Sequence, residues 1–234
     1  MTIVVTGASR GIGKAIAARF IREGWDAALC GLNQTRIQDT AEEFRQGNPE
    51  IRLLAEAVDV GRRAEVAAFA QKILDKFSAV DILVNNAGVF VPGNIHDEEE
   101  GMLESTMAVN LFGAYHLSRA LLPSMMARRR GHVFNICSTA SLQAYPQGGS
   151  YSITKHALLG FSRNLREEMK PFGVRVTAVC PGPTWTDSWK GFDGPEDRMM
   201  PAEDVAQVIW QACQLAPQTV VEDIVMRPQQ GDIR

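Results

Sequence analysis

A chain of 234 residues with 45% hydrophobic and 22% charged side chains is long enough to bury a substantial core and has the composition of a soluble globular protein. A formal net charge of −3 gives nucleic acid no electrostatic reason to bind, and the one dense basic run, Arg128-Arg129-Arg130, reads as a helix end whose cations complement the dipole. No apolar run approaches the roughly eighteen residues of a membrane span, no basic-then-apolar leader opens the chain, and Cys30, Cys137, Cys180 and Cys213 lack paired spacing; a cytoplasmic protein with buried, reduced thiols and no metal site is expected.

The first residues, Thr2 to Val5, form a β-branched run that predicts a strand; it stops at Thr6-Gly7, and a helical pattern begins near Gly11. Strand, glycine-rich turn and helix make the opening of a dinucleotide-binding unit. The turn reads Thr6-Gly7-Ala8-Ser9-Arg10-Gly11-Ile12-Gly13, with glycines spaced Gly-x-x-x-Gly-x-Gly. Glycine there permits a tight turn and the close approach of a pyrophosphate, whose charge the helix N-terminus complements; the plainer reading is a turn that holds no ligand. A second strand, Asp26 to Gly31, runs into Leu32-Asn33-Gln34, with no carboxylate before Asp39. A carboxylate here would bind a ribose 2′-hydroxyl, whereas an arginine nearby would suit a 2′-phosphate. Arg10, with Arg36 as a second candidate, therefore favours NADP(H), with NAD(H) as the alternative.

A helix from about Gln34 to Gln46 leads to a third strand, Ile51 to Val58, that stops at Asp59-Val60. Asp59 at that carboxyl end suits an adenine amino group and suits equally the N-cap of the next helix, Arg62 to Phe77. The fourth strand, Asp81 to Val84, ends in Asn85-Asn86-Ala87-Gly88, whose small residues let backbone lie against a cofactor and whose amides could instead lock strands together. A long helix, about Met102 to Met126, is apolar on more than one face, at Met107, Leu111, Phe112, Leu117, Leu121 and Leu122. One face covers the sheet and the other asks for a partner, so a homodimer or homotetramer through this helix and the one around 150–169 is expected. Asn110 lies within it, a polar residue that must be satisfied if buried and that could kink the helix and hold a water.

The fifth strand, His132 to Cys137, delivers Ser138 at its carboxyl end, where a serine serves more often as a cap or turn residue than in catalysis. Next comes the stretch Tyr151-Ser152-Ile153-Thr154-Lys155. Tyrosine and lysine four apart share a helix face, and an ammonium beside a phenol favours the phenolate, which makes the pair a candidate general acid and base. The bland alternative is a half-buried aromatic beside a snorkelling lysine. A sixth strand, Val174 to Val179, enters Cys180-Pro181-Gly182-Pro183-Thr184-Trp185-Thr186, and Asp187 to Met200 reads as a mobile flap. Trp185, Trp189, Phe192, Met199 and Met200 suggest an apolar pocket, Gln143, Tyr145 and Gln147 could add polar contacts, and Lys190 and Arg198 could meet an anionic substrate. A helix starting near Pro201, with Pro201 in its first turn, and a strand from Thr219 to Met226 end the pattern.

Taken together, the glycine turn, Asn85-Asn86-Ala87-Gly88, Asn110, Ser138, Tyr151 with Lys155, and Pro181-Gly182 with Thr186 resemble the short-chain dehydrogenase/reductase family in order over nearly the whole chain. Tyr151 follows Ser138 by thirteen positions, the interval usual in that family. The resemblance implies an α/β class, one Rossmann domain over residues 1–234 with a doubly wound, seven-stranded parallel sheet and helices on both faces. It implies that Ser138 binds a substrate carbonyl oxygen, Tyr151 exchanges its proton, Lys155 holds the nicotinamide ribose and lowers the tyrosine pKa, and Asn110 anchors a relay water. It further implies that Gly7, Ser9, Arg10, Gly11, Ile12, Gly13, Asn33, Asp59, Val60, Asn86, Ala87, Gly88, Pro181, Gly182, Thr184 and Thr186, with Tyr151 and Lys155, surround an NADP(H). Leu32 departs from the arginine that many NADP-dependent relatives carry after the second strand. The expected activity is interconversion of a small-molecule ketone or aldehyde with an alcohol. A nucleotide-sugar epimerase shares the Tyr–Lys pair but needs more chain after it than this sequence has, and a non-catalytic NADP(H)-binding regulator or scaffold need not keep Asn110, Ser138, Tyr151 and Lys155 together.

Overall fold

Short apolar runs that are buried on both faces pair most readily into a parallel sheet covered by crossover helices, and that is the architecture found. A computed structural model describes residues 1–186 and 196–232. Among them, β1 (Thr2–Thr6), β2 (Asp26–Gly31), β3 (Leu53–Ala57), β4 (Ile82–Asn85), β5 (Gly131–Ile136), β6 (Val174–Pro181) and β7 (Asp223–Met226) form one parallel sheet in the order β3-β2-β1-β4-β5-β6-β7. The register sets Val5 beside Leu29 on one side and Val84 on the other. After β3 the chain crosses back over β1 to lay down β4, so the strand order reverses there, and a crevice opens beyond the carboxyl ends of β1 and β4.

One face of the sheet is covered by α1 (Gly11–Arg22), α2 (Gln34–Gly47) and α7 (Ala202–Cys213), which bury Ile16, Phe20, Ile37, Phe44, Val205 and Ile209. Edge-on contacts of Phe20 with Trp25 at 5.1 Å and Trp210 at 5.0 Å pin α1 to α7. The other face carries α3 (Arg63–Lys76), α5 (Gly113–Arg128) and α6 (Gly149–Met169), through Phe69, Ile73, Leu117, Leu121, Leu165 and Met169. Each such side chain taken from water contributes about 1.5–3 kcal/mol, which is why these stripes fix the helix orientations. Arg128 closes α5 and Arg129 takes a left-handed conformation after it, as the basic run predicts.

Several boundaries differ from the pattern. The third and seventh strands are shorter, Leu53–Ala57 and Asp223–Met226, because only these stretches find a neighbour in register. Pro201 is the N-cap of α7 rather than part of its first turn. The single helix expected from Met102 to Met126 is α4 (Met102–Met107), a π turn (Ala108–Phe112) and α5 in series. Gly113 follows that turn against Val60, whose carbonyl would lie 2.8 Å from any added Cβ. Asp59 does not cap α3: its Oδ1 accepts the Gly61 N–H at 2.9 Å, and the N-cap position belongs to Arg62. Most of the segment read as a flap, including Trp189, Lys190 and Phe192, lies outside the described residues, whereas Met199 and Met200, largely buried, line a cleft together with Val225, Met226 and Arg227.

Candidate active site

Everything that the sequence marks as reactive converges at the carboxyl ends of β1, β4, β5 and β6. At β1 the backbone turns at Gly7 and Gly11 with φ of 64° and 55°, a region that other residues enter only with strain. Gly13 is buried against this turn, where a side chain would overlap the Gly7 carbonyl. Asn86 locks the turn to β4: its side-chain amide donates to the Thr6 carbonyl at 2.9 Å and the Gly7 carbonyl at 3.2 Å, while Thr6 Oγ1 accepts the Asn86 and Ala87 N–H groups at 3.0 and 2.9 Å. The Asn85-Asn86 amides thus serve the scaffold, Asn85 by donating to Asn135 and Ser118 between the strands and α5. Ile12 and Ser9 lie in the same turn; Ser9 packs on Gly31 and its carbonyl accepts the Thr40 hydroxyl at 3.3 Å, which brings Arg10 toward the end of β2. There Asn33 caps α2 by accepting the Arg36 N–H at 2.9 Å, Leu32 stands 75% exposed, and no carboxylate ends the strand. With that oxygen engaged in the cap, the Asn33 side-chain NH2 is the group that could meet a cofactor.

The opposite wall is built on α6. Tyr151 and Lys155 lie one turn apart, with the ammonium 5.7 Å from the ring centroid. Lys155 is buried and donates to the Ile136 carbonyl at 2.8 Å, at the end of β5. Ser138, the next residue but one, is indeed a cap: Oγ accepts the Ala140 N–H at 3.1 Å at the start of a single 3₁₀ turn. The same hydroxyl lies near enough to the Tyr151 phenol to favour its ionised form. Ser152 ties the two segments by donating to the Ala140 carbonyl at 3.1 Å.

Electrostatics here depart from the expected depression of the tyrosine by lysine. Burial pushes the Tyr151 phenol above its ordinary value, the neighbouring Ser138 hydroxyl opposes that, and the nearby Cys137 thiol adds to the rise. Burial also lowers the Lys155 ammonium, which spends a proton on the Ile136 carbonyl rather than on the phenol. The protein's own groups therefore hold Tyr151 protonated at neutral pH.

Asn110 sits in the π turn and is fully engaged. Its amide donates to the Val89 carbonyl and the Thr154 hydroxyl, both at 3.0 Å, and its oxygen accepts the Val89 N–H at 2.8 Å. Thr154 in turn donates to the Tyr151 carbonyl at 2.8 Å, so Asn110 braces the helix carrying Tyr151 from the side. Gly88 completes the floor, where an added Cβ would lie 3.3 Å from the Asn110 oxygen and 3.5 Å from the Lys155 nitrogen. On the far rim Pro181 and Gly182 end β6, Thr184 donates to the Gly182 carbonyl at 2.9 Å, and Thr186 reaches within 3.0 Å of a Cβ built on Gly11. Asp59 and Val60 stand at the end of β3, with the Asp59 N–H on Glu65 at 2.8 Å.

Two neighbours of Tyr151 escape a local reading of the sequence. Phe90 lies edge-on to its ring at 4.8 Å. The only signal for it is an apolar run, Val89-Phe90-Val91, left exposed directly after Gly88. Glu98 binds the residue before Tyr151, through contacts between segments far apart in sequence. Burial, and then the charge of Tyr151, push the Tyr145 phenol up to about 12.

Residues 1–196 match the family described as short chain dehydrogenase. A sepiapterin reductase of Chlorobaculum tepidum is 33% identical over 99% of this chain and 98% of its own length. An alcohol dehydrogenase of the archaeon Thermococcus sibiricus, solved with 5-hydroxy-NADP, superposes with a TM-score of 0.90 at 28% identity, covering 100% of this chain and 98% of the other. The closed form of a serine dehydrogenase with NADP+ superposes with a TM-score of 0.89 at 31% identity, covering 100% and 97%.

Proposed function

The chain belongs to the short chain dehydrogenase family of oxidoreductases, and from that premise we propose that it interconverts a ketone or aldehyde with an alcohol using NADP(H), with Tyr151 as general acid and base. The observation that carries this reading is Tyr151 with Lys155 one turn away on α6, the lysine reaching the Ile136 carbonyl at the end of β5 and the Gly88 floor after β4, where the strands end. The residues present fit a pyridine dinucleotide. Gly7 and Gly11 take the positive φ that the tight turn before α1 needs, Gly88 lies beside Lys155 and Asn110, and Arg10 and Arg36 are exposed near a β2 end that lacks a carboxylate. The NADP and NADP derivative held by the two similar structures support the same choice.

When bound, the nicotinamide would supply or accept the hydride. The chain's part is to handle charge and proton at the substrate oxygen. Ser138 and Tyr151 offer two hydroxyl donors to that oxygen, and such donors matter most where the charge develops. Held protonated by burial, Tyr151 is set to give its proton in the reductive direction; the reverse needs its proton to leave, toward the buried Lys155 side of the site. Asn110 and Thr154 keep the helix from yielding as the proton moves. Phe90 lies edge-on beside the phenol, which suits a substrate with an apolar or aromatic body beside its carbonyl. We read the exposed apolar side chains of α5 and α6 as the seat of a homo-oligomer.

The test is titration with NADPH and NADH separately, followed by a carbonyl panel read at the nicotinamide absorbance. NADPH-selective binding with turnover of a panel member, abolished in Tyr151→Phe while NADPH still binds, is the expected result. Tight binding without turnover of any ketone, diketone, aldehyde or ketoacid would place the protein with cofactor-binding regulators instead.

A further inference from the structure

The helix that carries Tyr151 starts without a cap of its own. Gly148 precedes it with no side chain, and Gly149 follows at φ 32°, so the free N–H groups of its first turn must find acceptors elsewhere. One acceptor comes from the loop after β4. The Glu98 carboxylate takes the Ser150 backbone N–H at 2.8 Å on Oε1 and the Ser150 hydroxyl on Oε2. A carboxylate at this end also answers the helix dipole.

The loop is shaped for that contact. The Asn94 carbonyl accepts the N–H groups of Asp97 and Glu98 at 3.0 Å each, and Asp97 Oδ1 accepts the Asn94 N–H at 3.2 Å, which aims Glu98 inward. Gly93 donates to the Gln147 carbonyl at 3.1 Å and forms a parallel bridge with Gly148. A side chain on Gly149 would overlap the Glu98 carboxylate, and one on Gly93 would press on the Glu98 Cγ at 2.8 Å. Both glycines thus make room for one carboxylate. Ser150 is the residue before Tyr151, and the same loop sets Phe90 against the Tyr151 ring and Val89 on Asn110.

We propose that Glu98 is a positioning residue for Tyr151: it caps α6 from the β4 loop, and through Ser150 it fixes the bearing of the phenol toward Ser138. This rests on the reading of Tyr151 as acid and base. Glu98 acts through the helix and touches no reacting atom. Because one loop holds Glu98, Phe90 and Val89, the cap also couples the substrate side of the crevice to the proton donor.

The experiment compares wild type with Glu98→Ala, Glu98→Gln, Ser150→Ala and Tyr151→Phe by NADPH Kd, by kcat and KM on a carbonyl the wild type reduces, by the pH profile of kcat, and by Tm. Glu98→Ala is expected to lower kcat about tenfold or more, the scale of a misplaced catalytic group, with NADPH Kd within about twofold of wild type. Its pH profile should shift, because the phenol's placement beside Ser138 is no longer fixed by the cap. Glu98→Gln keeps the shape and an acceptor and should recover to within about threefold of wild-type kcat, and Ser150→Ala should lose about threefold. A Glu98→Ala protein with reduced Tm but wild-type kcat and pH profile would overturn the proposal and leave Glu98 as a contact for stability. Should that variant fail to fold, Ser150→Ala decides, and an unchanged kcat overturns it. If Tyr151→Phe keeps full turnover, the underlying assignment fails, and this inference falls with it.

Discussion

At Tyr151 burial and the neighbouring Ser138 hydroxyl act on the phenol in opposite directions, and burial is the larger. Sequence alone suggests the reverse, because Tyr-x-x-x-Lys displays the cation but not the carbonyl of Ile136 that engages it. The consequence is a phenol that stays a donor across neutral pH, so reductive turnover should hold toward the acid side and fall as pH rises through the elevated tyrosine value. Rates recorded from about pH 6 to above the ordinary tyrosine value of about 10 check this, and a rate that rises steadily with pH would contradict it. Arg10 offers a second test at this scale. It is exposed at the start of α1 near a β2 end where Leu32 stands exposed, and we propose that Arg10 and Arg36 supply the selectivity for a 2′-phosphate. Arg10→Ala should weaken NADPH by about tenfold, the lower range for a charge-assisted contact, and NADH by much less. Equal loss for both nucleotides would place the phosphate contact elsewhere.

Between elements, the pairing of β5 with β6 carries a buried liability. His132 faces Arg175 in register, its Nε2 lies 2.8 Å from the Thr177 hydroxyl, and its Nδ1 has no partner among the described residues. Thr177 donates its own proton to the Val221 carbonyl, which leaves its oxygen to accept from Nε2–H and assigns the neutral tautomer. Burial, and then Arg175, hold the imidazole well below its ordinary value. A base depressed in the folded state takes its proton first in the unfolded chain, so its contribution to stability is complete above about pH 6.5 and is lost as pH falls below that. The loss is about 1.4 kcal/mol per pH unit until the folded imidazole titrates. Melting temperature should therefore be level from pH 8 to 7 and drop toward pH 5, and His132→Val should start lower yet show a shallower acid slope. An unchanged slope would shift the cause to other groups, His116 among them, which is displaced in the same direction. Nothing in the run from Gly131 to Ile136 announces this histidine as buried on both sides; alternation and β-propensity fix the strand, and only the neighbouring strand supplies Thr177 and Arg175. The π turn was equally hidden, since an inserted residue leaves the helical period of Met102 to Met126 nearly intact, and only Asn110 hinted at a break.

For the molecule as a whole, the legible part was what repeats locally: strand, glycine turn, helix, and the spacing of Ser138, Tyr151 and Lys155. These features suffice for the parallel sheet and the crevice at its switch point. What closes the site comes from contacts across the chain, such as Glu98 on Ser150 or Asn86 on Thr6, which no window of sequence contains. The outer faces of α5 and α6 were legible in part, because their apolar positions exceed what one sheet can cover. In the fold Leu117, Leu121 and Leu158 are consumed by the core, while Phe112, Tyr115 and Ile153 remain 46%, 38% and 40% exposed. Tyr115 meets Phe161 edge-on at 5.9 Å, so the two helices share one apolar surface, and it joins the very helix that carries Tyr151. Covering that surface with a second copy would brace α6 from outside as Glu98 braces it from its end. Light scattering on the purified protein should accordingly give two or four times the chain mass. Tyr115→Glu, which sets a charge in the middle of the surface without entering the core, should yield monomers with a lower Tm. A wild-type protein already monomeric at micromolar concentration would instead mean that these three side chains are solvated and that the site is complete within one chain.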